Sequence, residues 1–151
     1  MTQSVEIRPY QAQDKASVLE LLRLNTPQFF APEEEADLSF YLDQETELYY
    51  VLLYEAKIVG CGGINFDESQ THGKLSWDIL HPLYQGRYLG QMLLEYRTEK
   101  LKSMPSVQKI TVRTSQMAFM FYQKQGFVLL EVIKNYWAMG FDMYHMEYQN
   151  L

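Results

Sequence analysis

Residues 80–94 read Leu-His-Pro-Leu-Tyr-Gln-Gly-Arg-Tyr-Leu-Gly-Gln-Met-Leu-Leu, and the change of pattern inside this stretch decides the fold class. Before it, Leu75 to Leu80 is a short apolar run that suits a buried strand. After it, Leu89, Met92, Leu93 and Tyr96 recur at the spacing of one helix face. The stretch is therefore a strand, a tight polar connection and a helix. A helix start leaves its first backbone N–H groups without partners and carries the positive end of the helix dipole, so it accepts an anion. Gly86 and Gly90 let other groups approach that backbone, and Arg87 adds a positive charge beside it. Two readings stay open on this stretch alone: a phosphate cradle, or an ordinary strand-to-helix loop whose glycines only make the turn.

The rest of the chain supplies the layers around it. Val5 to Arg8 reads as a first strand whose regular pairing ends at Pro9. Asp14 is positioned to cap a helix with an apolar stripe of Ala16, Val18, Leu19 and Leu22, stopped at Thr26-Pro27, and a second helix starts after Pro32 with Glu33, Glu34 and Glu35 near its positive end. Leu48 to Tyr54 and Lys57 to Phe66, parted only by Glu55-Ala56, form an antiparallel hairpin. The fourth strand and the opening stretch follow, and the helix after it turns Arg97, Glu99, Lys100 and Lys102 toward water. Val107 to Arg113 is a fifth strand, a helix carries Ala118, Phe121 and Tyr122, and Val128 to Ile133 and Asp142 to Tyr148 close the chain around a loop over 135–140. The order β, α, α, β, β, β, α, β, α, β, β predicts an α/β fold (α+β, mixed sheet) of about seven strands and about four helices. One domain over residues 1–151 accommodates it.

Composition excludes several classes. A net charge of −6 argues against nucleic acid, whose binding relies on a basic patch, and mildly favours a cationic or neutral substrate. Cys61 is the single cysteine, which rules out an internal disulfide and points to a reducing cytoplasm. The start of the chain does not read as a signal peptide, and no apolar run is long enough to span a membrane. Gly60-Cys61-Gly62-Gly63 is not a dinucleotide fingerprint, because Ile64-Asn65-Phe66 continues a strand where that motif must open a helix. Nothing near Cys61 in sequence marks a base, so it reads as a packing residue, and His72, His81 and His145 lack the spacing of a metal site. Phe29 and Phe30, in a connection between helices, are candidate substrate contacts.

Two segments together resemble the GNAT superfamily of N-acetyltransferases. Gln85-Gly86-Arg87-Tyr88-Leu89-Gly90 resembles the family's acyl-CoA motif of Arg or Gln, two residues, Gly, one residue, then Gly or Ala. Ala118-Phe119-Met120-Phe121-Tyr122-Gln123-Lys124-Gln125-Gly126-Phe127 resembles its Ala-x-x-x-Tyr-x-x-x-Gly-Phe segment, and the closing Asn135-Tyr136-Trp137 is similar to the last hairpin of many members. The chain departs from the pattern at Tyr88, where the motif has its first glycine. It departs again at Ser115, where many members have asparagine, and at Thr111, where N-terminal acetyltransferases of the family often place a glutamate base.

The resemblance implies a GNAT-like mixed, mainly antiparallel sheet, splayed between the fourth and fifth strands, and acetyl-coenzyme A as cofactor. It implies that Gln85, Gly86, Arg87, Tyr88, Leu89, Gly90 and Gln91 hold the pyrophosphate, with Leu80 and Ser115 lining the rest of the cofactor site. Tyr122 is implied as the acid that protonates the leaving thiolate. Asp78, on the fourth strand with the parity of Leu80, is the candidate base. Phe29, Phe30, Tyr136 and Trp137 could wall the site of a primary amine on a small molecule or peptide, and no metal is called for. A non-catalytic acyl-CoA-binding or sensing module is the alternative, and exposed aromatics near the last hairpin allow a homodimer.

Overall fold

In the computed structural model, which describes residues 4–151, each apolar run of the sequence becomes a strand or helix that buries one or both of its faces. The start of the chain, residues 1–3, on which the expectation of no signal peptide partly rests, lies outside the described residues. The strands are β1 (Val5–Pro9), β2 (Leu48–Tyr54), β3 (Lys57–Phe66), β4 (His72–Leu80), β5 (Lys109–Thr114), β6 (Phe127–Ala138) and β7 (Phe141–Tyr148). The helices are α1 (Lys15–Leu24), α2 (Glu34–Gln44), α3 (Leu89–Lys102) and α4 (Phe119–Lys124). No helix among the described residues is long and apolar enough to cross a membrane.

The strands form one sheet in the order β1-β2-β3-β4-β5-β7-β6, antiparallel except for the parallel pair β4 and β5. Side chains alternate across a strand, and β2 shows both faces at once. Tyr49 and Val51 pack with Val18, Leu21 and Leu22 of α1 and Leu38 and Leu42 of α2. Tyr50 and Leu52 pack on the opposite face with Leu89 and Leu93 of α3. A further cluster joins Leu94 and Leu101 of α3 and Tyr122 of α4 to Ile110, Val112 and Met146 of the sheet.

The splay between the fourth and fifth strands is present and has a visible cause. β4 pairs with β5 only from His72 to Leu75, against Lys109 to Val112. Beyond that point β5 runs on with β7 while β4 continues to Leu80 along β3. The β3–β4 register slips between Cys61 opposite Ile79 and Gly63 opposite Ser76, which leaves an extra residue in β4. Trp77 sits in this bulge with φ of 50°, in the left-handed region. Asn25, just past α1, ties down the end of the strand: its Nδ2 donates to Leu80 O at 3.0 Å and to Leu21 O at 2.8 Å.

Several expectations change. Pro9 still pairs with Tyr50, because β1 is an edge strand where a missing N–H can face solvent. Asp14 precedes α1, but its carboxylate turns back to Arg8, at 2.8 and 3.0 Å, and to the Gln11 N–H instead of capping the helix. Strand β6 runs through to Ala138, so most of the expected 135–140 loop is strand. Arg97 does not face water. It is 1% exposed, on the inner face of α3.

Candidate active site

The inner face of α3 repeats at four-residue spacing through Leu89, Leu93, Arg97 and Leu101, and places the Arg97 guanidinium under the β4 bulge. Arg97 Nη1 donates to Asp78 Oδ1 at 2.5 Å and Nη2 to Asp78 Oδ2 at 2.8 Å, a bidentate pair. Nη1 also donates to Gly63 O at 3.1 Å, and Nε to Leu93 O at 3.2 Å. Burial works against the Arg97 charge, and Asp78 more than offsets it, so its pKa moves up. Removing one partner of such a buried pair costs about 3–5 kcal/mol, because the other charge is left unmatched.

Tyr122 joins this pair from α4. Its hydroxyl donates to Asp78 Oδ2 at 2.5 Å, across 44 positions of sequence, and its ring packs edge-on against Phe121 and Phe127. Burial first, and then the Asp78 charge, push the phenol well above its ordinary range. The two expected catalytic residues are thus hydrogen-bonded to one another, with Arg97 as a third member that the sequence reading missed.

A cleft of about 1670 Å³ opens where β4 and β5 part. Its lining includes Asp78, Leu80, Gln85, Gly86, Tyr88, Leu89, Gly90, Gln91, Ser115 and Tyr122, and also Phe29, Phe30, Tyr136 and Trp137. Every expected site residue except Arg87 is therefore brought to one space. The Arg87 guanidinium lies instead over the rings of Tyr84 and Tyr54, 5.1 and 5.7 Å from their centroids. Met92 N–H donates to Tyr88 O at 3.0 Å, so the N–H groups of Leu89, Gly90 and Gln91 have no acceptor one turn back. Gly86 stands just before them at φ of 77°, with open space where a side chain would be. Tyr88, at the start of α3, has φ of 62° and ψ of 11°, the conformation that favours the motif glycine it replaces. Its ring is 77% exposed. The Ser115 carbonyl accepts the N–H groups of Ala118 and Phe119, starting the turn into α4.

Aromatic groups line the far side of the cleft. Phe30 stacks on Trp77 at 6.4 Å and 19° between planes, and Tyr136 meets Trp137 edge-on at 4.9 Å. Trp137 Nε1 donates to Thr114 O, and Arg113 Nη1 donates to the Tyr136 hydroxyl, which anchors the last hairpin over β5. Trp77 and Tyr41, which also line the cleft, were not expected here. Their signal is the bulge, which exists only once β3 and β4 are paired. The histidines stand apart from one another in role. His81 Nδ1 accepts the Leu83 N–H in a short turn, and His72 Nε2 bonds the Thr111 hydroxyl at 2.6 Å. Among the described residues no three potential metal ligands stand together. Burial pushes the Cys61 thiol up to about 12, as befits a packing residue.

A family model described as an acetyltransferase (GNAT) domain matches residues 18–150. No curated protein matches the chain. Among solved structures, a GNAT-family protein from Desulfovibrio desulfuricans is 20% identical with a TM-score of 0.79, over 97% of this chain and 99% of that one. Arabidopsis thaliana Naa50, solved with the bisubstrate analogue CoA-Ac-MVNAL, is 18% identical with a TM-score of 0.74, over 97% and 99%. An aminoglycoside 6'-N-acetyltransferase complexed with coenzyme A is 15% identical with a TM-score of 0.75, over 94% and 95%.

Proposed function

The chain belongs to the GNAT acetyltransferase family, and from that premise we propose that it moves an acetyl group from acetyl-coenzyme A to a primary amine by direct attack. The observation that carries this reading is the single cleft that collects the partnerless amides of α3, the separated ends of β4 and β5, and the Asp78–Tyr122 pair. The coenzyme A held by one similar structure supports that cofactor, and that enzyme's aminoglycoside acceptor together with the bisubstrate analogue held by Naa50 supports an acceptor that is a small molecule or a peptide. The proposal treats residues 1–151 as one domain.

The donor set fits an anionic pyrophosphate. The amides of Leu89, Gly90 and Gln91 lie at the positive end of α3, and the open backbone at Gly86 leaves room for approach. Coenzyme A would be held there, with Gln85, Tyr88, Leu80 and Ser115 along the cleft and Arg87 contributing through its backbone. The bound thioester supplies an activated acyl carbon and a thiolate leaving group.

The protein's part is to move one proton. Asp78 takes the proton that the attacking nitrogen must lose, directly or through a water. Tyr122 gives its hydroxyl proton to the departing sulfur and is refilled by Asp78 through their hydrogen bond. The N–H and C–S bonds break, the C–N and S–H bonds form, and both residues return to their starting state. Phe29, Phe30, Tyr136 and Trp137 wall the acceptor. A cytoplasmic setting and a homodimer belong to the same proposal. The lone, buried Cys61 supports the first, and the exposed Val128, Leu129, Leu130, Val132 and Ile133 of edge strand β6 support the second.

A panel of amines, small and peptidic, assayed for release of free coenzyme A thiol tests the reading. Saturable release with a subset of amines is expected. The second reading, a non-catalytic acyl-CoA-binding module, is favoured by one observation: the Tyr122 proton is already committed to Asp78. Tight coenzyme A binding with no thiol release across the panel selects it.

A further inference from the structure

Arg97 is the charged residue on the buried stripe of α3, and the proton path through Asp78 and Tyr122 does not itself pass through it. We infer that Arg97 is a positioning residue: its guanidinium fixes the Asp78 carboxylate across the β4 bulge, so that Asp78 Oδ2 stays in place to accept the Tyr122 hydroxyl hydrogen bond. The inference rests on the acyl-transfer reading for its kinetic consequences, and on geometry alone for the coupling of the two charges.

Separate features of the fold converge on this contact. Gly62 lies against it without a side chain, and a Cβ there would stand 2.9 Å from Arg97 Cζ and from Asp78 Oδ1. Trp77 takes its left-handed conformation in the bulge beside Asp78, and its carbonyl accepts the Tyr49 hydroxyl at 2.9 Å. The remaining guanidinium bonds run to Gly63 O on β3 and Leu93 O on α3, so the group is tied to three elements.

The surroundings of Asp78 explain why a cation is needed. Facing it are Tyr122 from α4, Tyr41 from α2, Tyr49 from β2 and Cys61 from β3. Burial pushes all four upward, Cys61 to about 12, so each is neutral near pH 7. Among the described residues Arg97 is the one full positive charge paired with this carboxylate. A carboxylate left among these groups without its cation loses the partner that offsets its burial and holds it in place. Without the two-pronged contact Asp78 is free to turn away from the Tyr122 hydroxyl, and the relay stops.

The test compares wild type with Arg97→Met, Arg97→Lys, Asp78→Asn and the double variant Arg97→Met/Asp78→Asn, by kcat, KM for acetyl-coenzyme A and Tm. Arg97→Met is expected to lower kcat on the order of a hundredfold and to leave KM within about twofold. Arg97→Lys, which keeps the charge but not the two-pronged contact, recovers part of the lost kcat. The double variant regains Tm lost by Arg97→Met, because the unmatched carboxylate is gone, while its kcat stays low. A kcat equal to wild type, or a loss of kcat that Arg97→Lys does not recover in part, overturns the inference. So does a double variant no more stable than Arg97→Met. If wild type acetylates nothing, the acyl-transfer reading fails separately, and the Tm comparison alone decides whether Arg97 and Asp78 are coupled as stated.

Discussion

Replacing Tyr88 with glycine tests the unusual residue in the coenzyme A loop. Tyr88 holds φ of 62° and ψ of 11° at the start of α3. A residue with a side chain is disfavoured in this region by roughly 1–2 kcal/mol, and glycine is not. Glycine is disfavoured in turn by roughly 0.5–1 kcal/mol, through the greater freedom of its unfolded chain. The ring is 77% exposed, so its removal forfeits little buried area. The difference leaves Tyr88→Gly as stable as wild type or more stable by up to about 1.5 kcal/mol, a rise in Tm of up to roughly 6 °C for a chain of this size. The backbone of the loop already has the geometry of the motif glycine, so coenzyme A binds Tyr88→Gly at least as tightly as wild type. Scanning calorimetry and titration calorimetry with coenzyme A read the two effects. A Tm several degrees lower, or weaker coenzyme A binding, would refute the reasoning and assign the tyrosine ring a contact of its own.

Gly62→Ala puts a methyl 2.9 Å from Arg97 Cζ and Asp78 Oδ1, both held by other bonds, and is expected to destabilise by about 1–3 kcal/mol in urea unfolding; a wild-type midpoint contradicts this. The Arg8 hydrogen bond, opposed by burial and helped by the Gln11 amide, holds Asp14 below the usual carboxylate range. Its contribution to stability is therefore full above the unfolded value of about 4 and is lost as pH falls through the lower folded value. The stability advantage of wild type over Asp14→Asn should shrink on acidification from pH 5, and a constant gap would count against it. Cys61 is fully buried, and its thiol is pushed up to about 12 by that burial. An aromatic disulfide reagent should label it only at the rate of unfolding, whereas rapid labelling of the folded protein would show an accessible thiol.

Local pattern carried most of the fold. The hairpin of Leu48–Tyr54 and Lys57–Phe66 has the bounds that its two-residue turn predicts, because turn length and alternation are both local. Strand β6 was read too short, since Asn135 looks like a loop. It has φ of 54° inside the strand, where its N–H donates to Asp142 Oδ1 and its side chain accepts the Gly140 N–H. The motif segments, Gln85 to Gly90 and the one around Tyr122, mark residues that, Arg87 apart, the fold brings to one cleft. Arg97 was misplaced because its charge outweighed its spacing, although Leu93, Arg97 and Leu101 share one helix face. The Trp77 bulge could not be read at all. It is a slip of one strand against another, and nothing in either strand alone records the register.

The central claim, that Tyr122 delivers the proton in acyl transfer, is tested most directly by the kcat of Tyr122→Phe with an amine that wild type acetylates. The substitution removes one hydroxyl and leaves the ring in the core and Asp78 on Arg97. The account predicts a kcat lower by about 10²–10⁴-fold, with KM for acetyl-coenzyme A unchanged. Full turnover in Tyr122→Phe would contradict it.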